Sequence, residues 1–281
     1  EGLTLSGGYS NDFGGAISIA RQQPYFPAVI VDLRDCVIRD SVAGRFGGAI
    51  DSLECSLLID RCSFISNSTT SNGQGGGGIS LYTNEECVIT NTTFAQNVQG
   101  GAQGFGGAAL YVENTDTLSL LRVNIQHCTF SENTDEAAAA TSLCVVAGNT
   151  LALVRNSIFA DGAGFNLFVS GGAEIVSQGG NISDDDTTTL LVRSGNPQQI
   201  ALLSEDSDIT STDPELGLLT QYTGGIYAYP LNGGGAAAMM DADESNQALD
   251  IRRALRLTSA NVGALQHDGN LGRILINEIL S

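Results

Sequence analysis

Clustered carboxylates are the residues of this sequence that could bind a metal ion. Two runs, Asp184-Asp185-Asp186 and Asp241-x-Asp243-Glu244, carry the oxygen ligands that calcium prefers. Neither run has the spacing of an EF-hand or of a glycine-rich calcium repeat. Two interpretations stay open: a Ca²⁺ site formed from Asp184, Asp185, Asp186, Asp241 and Asp243, or solvated acidic turns. We expect no other cofactor.

Carboxylate pairs that could cleave a glycan are harder to find. A glycosidase needs two carboxylates that face one groove at a defined separation. Asp32, Asp60 and Arg39 could form a small charged patch, although a surface salt-bridge cluster is the alternative. We therefore predict no catalytic residue in this chain. Catalysis stays open as the alternative, because site residues could come from outside it.

The other potentially reactive side chains give no indication of catalysis. The chain has no Lys, and His127 and His267 lie far apart, so the commonest acid–base groups are scarce. We predict that His127 is a solvated outer residue. There is no Cys-x-x-Cys pair to suggest zinc. Cys36, Cys62 and Cys128 occupy one column of the repeats described next, where they are either buried free thiols or, for Cys36 and Cys62, a disulfide.

A repeat of about 30 residues sets the architecture. Its first half is a Gly-Gly pair followed by a small and an aliphatic residue, and its second half is Phe-x-x-Asn. The Gly-Gly half occurs at Gly14-Gly15, Gly47-Gly48, Gly76-Gly77 and Gly106-Gly107. A period in this range indicates a solenoid, in which each unit buries its apolar face against its neighbours.

Alignment of the repeats gives columns of like residues. The Phe column contains Ile38, Phe64, Phe94, Phe130 and Phe159, and the Asn column contains Asn67, Asn97 and Asn133. Small residues lie two positions before the Phe column and aliphatic residues five positions before it. A bend between these two columns would turn both inward, so we predict stacked interior ladders. We expect the Asn residues to adopt left-handed backbone and to bond the next coil.

The Gly-Gly-Ala-Ile and Phe-x-x-Asn motifs resemble those of the chlamydial polymorphic outer-membrane proteins and related bacterial surface β-helices. The resemblance covers roughly residues 1–170. It implies a right-handed parallel β-helix that is displayed outside the cell and takes part in adhesion.

A second resemblance covers residues 179–266. A series of short motifs there is similar to the C-terminal segment of secreted bacterial choice-of-anchor proteins. The motifs are Gly180-Asn181-Ile182-Ser183, Asp213-Pro214-Glu215-Leu216-Gly217, Tyr229-Pro230-Leu231, Ala237 to Asp241, Asp250-Ile251-Arg252-Arg253 and Asn261-Val262-Gly263-Ala264. Arg253 stands where that family usually has Gly, and Asn261 where it usually has Asp. These departures put any metal or turn role at the two positions in doubt.

Three regions follow from these patterns. Residues 1–178 are predicted to form the coils, and residues 179–266 the terminal coils and a cap of choice-of-anchor type. Within that cap, residues 236–257 are either a short amphipathic helix or irregular structure that covers the open end of the solenoid. Residues 267–281 are predicted to be a linker or the start of a following module.

Composition bears on location and partners. The formal net charge is −19, which argues against nucleic acid and anionic membranes as partners. No stretch is long and apolar enough to span a membrane, so we expect no direct membrane insertion by this segment. The sequence starts without Met or a signal peptide, and we expect it to be an excerpt of a longer exported protein.

We therefore predict an all-β, right-handed parallel β-helix (solenoid) with a C-terminal capping segment. We expect a bacterial extracellular or cell-surface location and a structural or adhesive function. The expected partners are glycans, cell surfaces or further copies of the chain. The alternative is a carbohydrate-active β-helix enzyme, a polysaccharide lyase or glycoside hydrolase, which would show a groove with carboxylates from successive coils.

Overall fold

The fold was analysed in a computed structural model of the 281-residue chain. It describes residues 1–21, 29–70, 75–83, 85–101, 106–116, 118–136, 140–162, 164–193 and 196–232, together with Asp250, Arg252 and Gly263.

All regular structure in the described residues is β. The strands are, in chain order, β1 (Thr4–Ser6), β2 (Tyr9–Ser10), β3 (Ile17–Ala20), β4 (Val29–Arg34), β5 (Val37–Arg39), β6 (Val42–Ala43), β7 (Ile50–Leu53), β8 (Cys55–Asp60), β9 (Ser63–Ile65), β10 (Ser68–Thr69), β11 (Ile79–Thr83), β12 (Cys87–Thr90), β13 (Thr93–Ala95), β14 (Val98–Gln99), β15 (Leu110–Asn114), β16 (Leu121–Gln126), β17 (Thr129–Ser131), β18 (Thr134–Asp135), β19 (Leu143–Val146), β20 (Thr150–Arg155), β21 (Ile158–Ala160), β22 (Leu167–Val169), β23 (Glu174–Ser177), β24 (Ile182–Ser183), β25 (Thr188–Arg193), β26 (Asn196–Ala201), β27 (Thr220–Gln221) and β28 (Tyr227–Ala228).

Four parallel sheets run along the molecule, and each complete coil contributes one strand to each of them. Sheet I is β1-β5-β9-β13-β17-β21-β24, sheet II is β2-β6-β10-β14-β18, sheet III is β3-β7-β11-β15-β19-β22, and sheet IV is β4-β8-β12-β16-β20-β23. This is a parallel β-solenoid of about five turns, so the predicted all-β β-helix is confirmed. The right-handed sense stays a prediction, implied by the motif resemblance and favoured by the crossover rule.

Left-handed backbone turns the chain at two corners of each coil. The corner between sheets IV and I has φ near +50° at the bend column, which is Asp35, Arg61, Asn91, His127 and Asn156. The corner after sheet I has the same conformation at Asp40, Ser66, Gln96, Glu132 and Asp161. The predicted bend is therefore present. The left-handed residue at the second corner is the one before each Asn, so the prediction of left-handed Asn was wrong.

The Gly-Gly pairs form a third corner, and each glycine of the pair is required for a different reason. Gly47 has φ +63°, where a side chain is strained. A Cβ on Gly48 would lie 2.0 Å from the carbonyl oxygen of Gly77 in the next coil. One position therefore needs the conformation of glycine and the other needs its lack of a side chain.

Stacked phenylalanines form the centre of the interior. Phe64, Phe94, Phe130 and Phe159 are in register in sheet I, and none is exposed to solvent. Their ring centroids are 5.0, 4.8 and 5.0 Å apart along the stack, and successive ring planes differ by at most 12°. The spacing equals that of adjacent strands, so identical residues at one register position pack face over face.

An asparagine ladder ties the corner after sheet I together. The amide of Asn97 donates to the carbonyl of Phe64 and to Oδ1 of Asn133, both at 3.0 Å. Its own Oδ1 accepts from the backbone and the amide of Asn67, both at 3.1 Å. Each Asn thus satisfies backbone groups of the neighbouring coil that would otherwise be buried without a partner.

The C-terminal third covers the end and one side of the solenoid. After β24, the antiparallel hairpin β25–β26 leads to Leu202 and Leu203, which are buried in the main core next to its last coils. The chain then crosses the outer face of sheet I, where Tyr227 and Ser63 exchange two hydrogen bonds of 2.8 and 2.9 Å. Tyr229 packs there against Ile65 and Ala95. The predicted helix or cap at 236–257 and the module at 267–281 lie outside the described residues, Asp250 and Arg252 excepted.

Candidate functional site

A groove on the outer face of sheet III is the most distinctive surface feature in the described residues. Its cavity has a volume of about 490 Å³, which is in the usual range for small-ligand sites. The lining residues combine three aromatic rings with two carboxyl groups and three hydroxyls, one of them on a tyrosine ring. They are Phe13, Ser18, Ala20, Phe46, Asp51, Leu53, Ser80, Tyr82 and Glu113.

Strand alternation places these residues on one face. Ile50, Ile79 and Leu110 point into the core, so the residues next to them point outward. Strand register then builds two outer columns. The first is Ser18, Asp51, Ser80 and Tyr111, and the second is Ala20, Leu53, Tyr82 and Glu113. The groove therefore draws its floor from four successive coils, β3, β7, β11 and β15.

Aromatic rings form one wall. Phe13 and Phe46 precede the Gly-Gly pairs of their coils and stack with their centroids 6.1 Å apart. The ring of Tyr111 continues the row, 6.1 Å from Phe46. The guanidinium of Arg45 lies 5.5 Å from the centre of the Phe13 ring and forms a 3.7 Å ion pair with Asp12.

Asp51 is a carboxyl group buried in the floor of the groove. The residue is only 8% exposed and forms no salt bridge with any described residue. Burial is the main reason that its pKa is raised from 3.8 to about 7. The negative charge of Asp12 raises the pKa further, whereas the neighbouring hydroxyl of Ser80 lowers it. Asp51 is therefore partly protonated at neutral pH.

Glu113 is the second carboxylate of the groove. It accepts a hydrogen bond of 2.5 Å from the hydroxyl of Tyr111, and this bond together with burial raises the pKa of Tyr111. The pKa of Tyr82 is also raised, first by burial and then by the charge of Glu113. Both tyrosines thus remain hydroxyl donors at any physiological pH, while Glu113 provides an acceptor.

The groove offers two kinds of interaction to a ligand. Flat aromatic rings can pack against the C–H faces of a sugar, and the carboxyl and hydroxyl groups can bond its hydroxyls. Asp51 and Glu113 lie two strands and two residues apart, which puts their Cα atoms about 12 Å from each other. That separation leaves room for a ligand between the two side chains.

The aspartates predicted as calcium ligands at 184–186 instead accept hydrogen bonds from backbone N–H groups of turns. Asp184 accepts from the backbone of Asp161 at 2.7 Å, and Asp185 from the backbone of Asn166 at 2.8 Å. Asp186 accepts from the backbone of Thr188 at 3.1 Å. In the ranges described, no three His, Cys, Asp or Glu side chains are grouped as metal ligands would be. Asp241 and Asp243 lie outside the described residues.

The patch expected from Asp32, Asp60 and Arg39 is instead three local ion pairs. Asp32 pairs with Arg34 at 2.9 Å, and Arg39 lies 3.6 Å from Asp40. Asp60 pairs with Arg61, whose guanidinium also binds Asp35 at 2.9 Å. The structure brings none of these groups together as a site.

Two further predictions concern His127 and the cysteines. The prediction of a solvated His127 was wrong, because the residue is only 1% exposed and lies 3.4 Å from the amide of Asn156. Gly263, far along the chain, donates to the carbonyl of that same Asn156 and so covers this corner. All six cysteines are buried free thiols.

Sequence reasoning missed the groove. Its outer columns change residue type from coil to coil, so no repeat marks them. The one available signal was the Phe directly before the Gly-Gly pair at Phe13 and Phe46, an aromatic residue outside the interior columns.

No known protein family, curated protein or solved structure matches this chain. The kinship with polymorphic outer-membrane repeats and choice-of-anchor segments thus remains an interpretation of motifs, whereas the parallel β-solenoid is shown. Across the described residues, no helix has the length and apolar character needed to cross a membrane.

Proposed function

We propose that this chain is part of an exported bacterial surface protein that acts as a structural and adhesive stalk and binds glycans in the groove of sheet III. One observation carries the proposal. Aromatic rings and hydroxyl-bonding groups from successive coils converge on one cavity on the outer face of sheet III. Concave sites with apolar walls and a few convergent polar groups are typical of ligand binding.

The rest of the molecule supports a scaffold function. The repeated residues are explained by interior packing, corner geometry and the asparagine ladder, which leaves few side chains that need a chemical role. Display of the stalk in many copies would multiply weak contacts into firm adhesion. The motif resemblance to surface β-helices and the net charge of −19 are consistent with a location outside the cell.

A glycan array followed by calorimetry tests this proposal. We expect binding to at least one class of oligosaccharide, and a loss of tenfold or more in affinity for Tyr82→Ala and Phe46→Ala. Tyr9→Ala is the matched control, because Tyr9 is an exposed aromatic residue that does not line the groove. Binding that the Tyr9 and Tyr82 variants weaken equally, or no binding at all, would contradict the proposal.

The groove also supports a second candidate function, glycoside hydrolysis. Asp51, with a pKa of about 7, has the protonation that a general acid needs, and Glu113 lies across the same groove. With their Cα atoms about 12 Å apart, the two side chains leave room between them for the water that an inverting pair activates. Cleavage of a bound oligosaccharide that stops in both Asp51→Asn and Glu113→Gln would favour this function over adhesion.

A further inference from the structure

The charges around the groove are unbalanced in a way that points to the chemistry of its ligand. Two acids, Asp51 and Glu113, line the cavity, and none of the described lining residues is cationic. Arg45, which lies over the aromatic wall, is already paired with Asp12 and does not line the cavity. An acid as buried as Asp51 normally has a cation or several hydrogen-bond donors beside it.

The aromatic wall adds an independent preference for a cation. Ring faces attract positive charge, and this wall already shows that attraction, because Arg45 lies over both Phe13 and Phe46 at 5.5 and 5.9 Å. The same rings border the cavity, where Tyr82 provides a third face. Acids below and aromatic faces beside them form the surroundings that bind ammonium groups in proteins.

We infer that the groove binds a glycan that carries free amino groups, such as an oligomer of glucosamine, and that one ammonium group lies beside Asp51. This inference rests on the proposed glycan-binding function and narrows it to one ligand class. The ammonium supplies the cation that Asp51 lacks, and Glu113 accepts from the ammonium or a neighbouring hydroxyl. The sugar rings extend along the solenoid over Tyr82 and Phe46.

Calorimetry with paired ligands tests the inference. The probes are glucosamine oligomers, their N-acetylated counterparts and neutral glucose oligomers of the same length. At neutral pH and low salt, we expect the amino form to bind tenfold or more tightly than the N-acetylated form. Asp51→Asn should remove that difference while it preserves binding of the N-acetylated form, because the substitution changes charge and not shape.

Asp40→Asn is the control variant, since Asp40 is an exposed carboxylate at the corner after sheet I. Glu113→Gln provides a second test of the groove should Asp51→Asn not fold. The two variants could also reduce the preference for the amino form equally. That result would show that the preference comes from the overall negative charge of the protein, and it would overturn the inference. Equal affinity for all three probes would overturn it and leave glycan binding intact. No binding of any probe would overturn the inference, and the glycan array would then decide the proposed function separately.

Discussion

The interior of the solenoid and the groove of sheet III follow opposite rules. Inside, each position repeats, each ring of the Phe stack lies 4.8 to 5.0 Å from the next, and each Asn amide bonds the neighbouring coil. In the groove, the outer column of Ser18, Asp51, Ser80 and Tyr111 changes residue type from each coil to the next, and the carboxyl group of Asp51 is buried with no salt bridge to a described residue. Packing explains the repeated positions of the interior but not the carboxyl groups that converge on the groove, which is why we propose a binding function there.

The largest effect is expected in the Phe stack. Phe94→Ala should lower the free energy of unfolding by about 3–5 kcal/mol, because it removes a buried ring and leaves a cavity between two others. Urea denaturation followed by circular dichroism measures it. Phe165→Ala is the control, since Phe165 is 54% exposed and should cost far less. Equal losses for the two variants would mean that the stack does not hold the coils together.

Asp51 should make stability depend on pH in a direction opposite to that of most acids. Its pKa is raised from 3.8 to about 7, so the folded protein binds a proton that the unfolded chain releases. The stabilisation is complete below about pH 4 and is lost as pH rises through about 7. The change is on the order of 4 kcal/mol for this one group.

Asp51→Asn should remove that part of the pH dependence. The measurement is urea unfolding of the wild type and the variant at several pH values between about 4 and about 8. This range spans the ordinary pKa of 3.8 and the raised pKa of about 7. Asp40→Asn should retain the wild-type slope because Asp40 is exposed. A parallel pair of curves for wild type and Asp51→Asn would show that this carboxyl group is not buried as described.

The asparagine ladder should contribute less per residue than the Phe stack. Asn97→Ala leaves the carbonyl of Phe64 and the backbone N–H of Asn67 without their partner, at a cost of about 1–3 kcal/mol. Asn11→Ala, at an exposed position, is the control for the same denaturation experiment. A negligible loss for Asn97→Ala would show that water replaces the amide and that the corner is open.

The smallest effect is expected in the column of small residues. Cys62→Ser should change the free energy of unfolding by no more than about 1 kcal/mol, because Ser157 and Thr92 fill the same place and bond their own strands. Alkylation of the denatured, unreduced wild-type chain should label all six thiols. A Cys36–Cys62 crosslink in the mass spectrum would contradict free thiols.

The interior could be predicted from the sequence because the coils repeat. Columns such as Phe64, Phe94 and Phe130 are visible as letters at a fixed offset, and stacking then follows from strand spacing. The exterior could not be predicted in the same way. His127 is part of a repeated column and is nonetheless buried, and Gly263, more than a hundred residues away, donates to the backbone carbonyl of Asn156 at the same corner. The groove was missed because Phe13, Asp51 and Glu113 meet only through register across several coils.

A crystal structure of the chain with its tightest-binding oligosaccharide tests the central claim most directly. We expect the ligand to lie along sheet III, with a sugar ring against Tyr82 and a polar group within hydrogen-bond distance of Asp51. A ligand bound on another face, such as the outer surface of sheet IV, would contradict the account even if affinity were high. So would a groove that stays empty at saturating ligand.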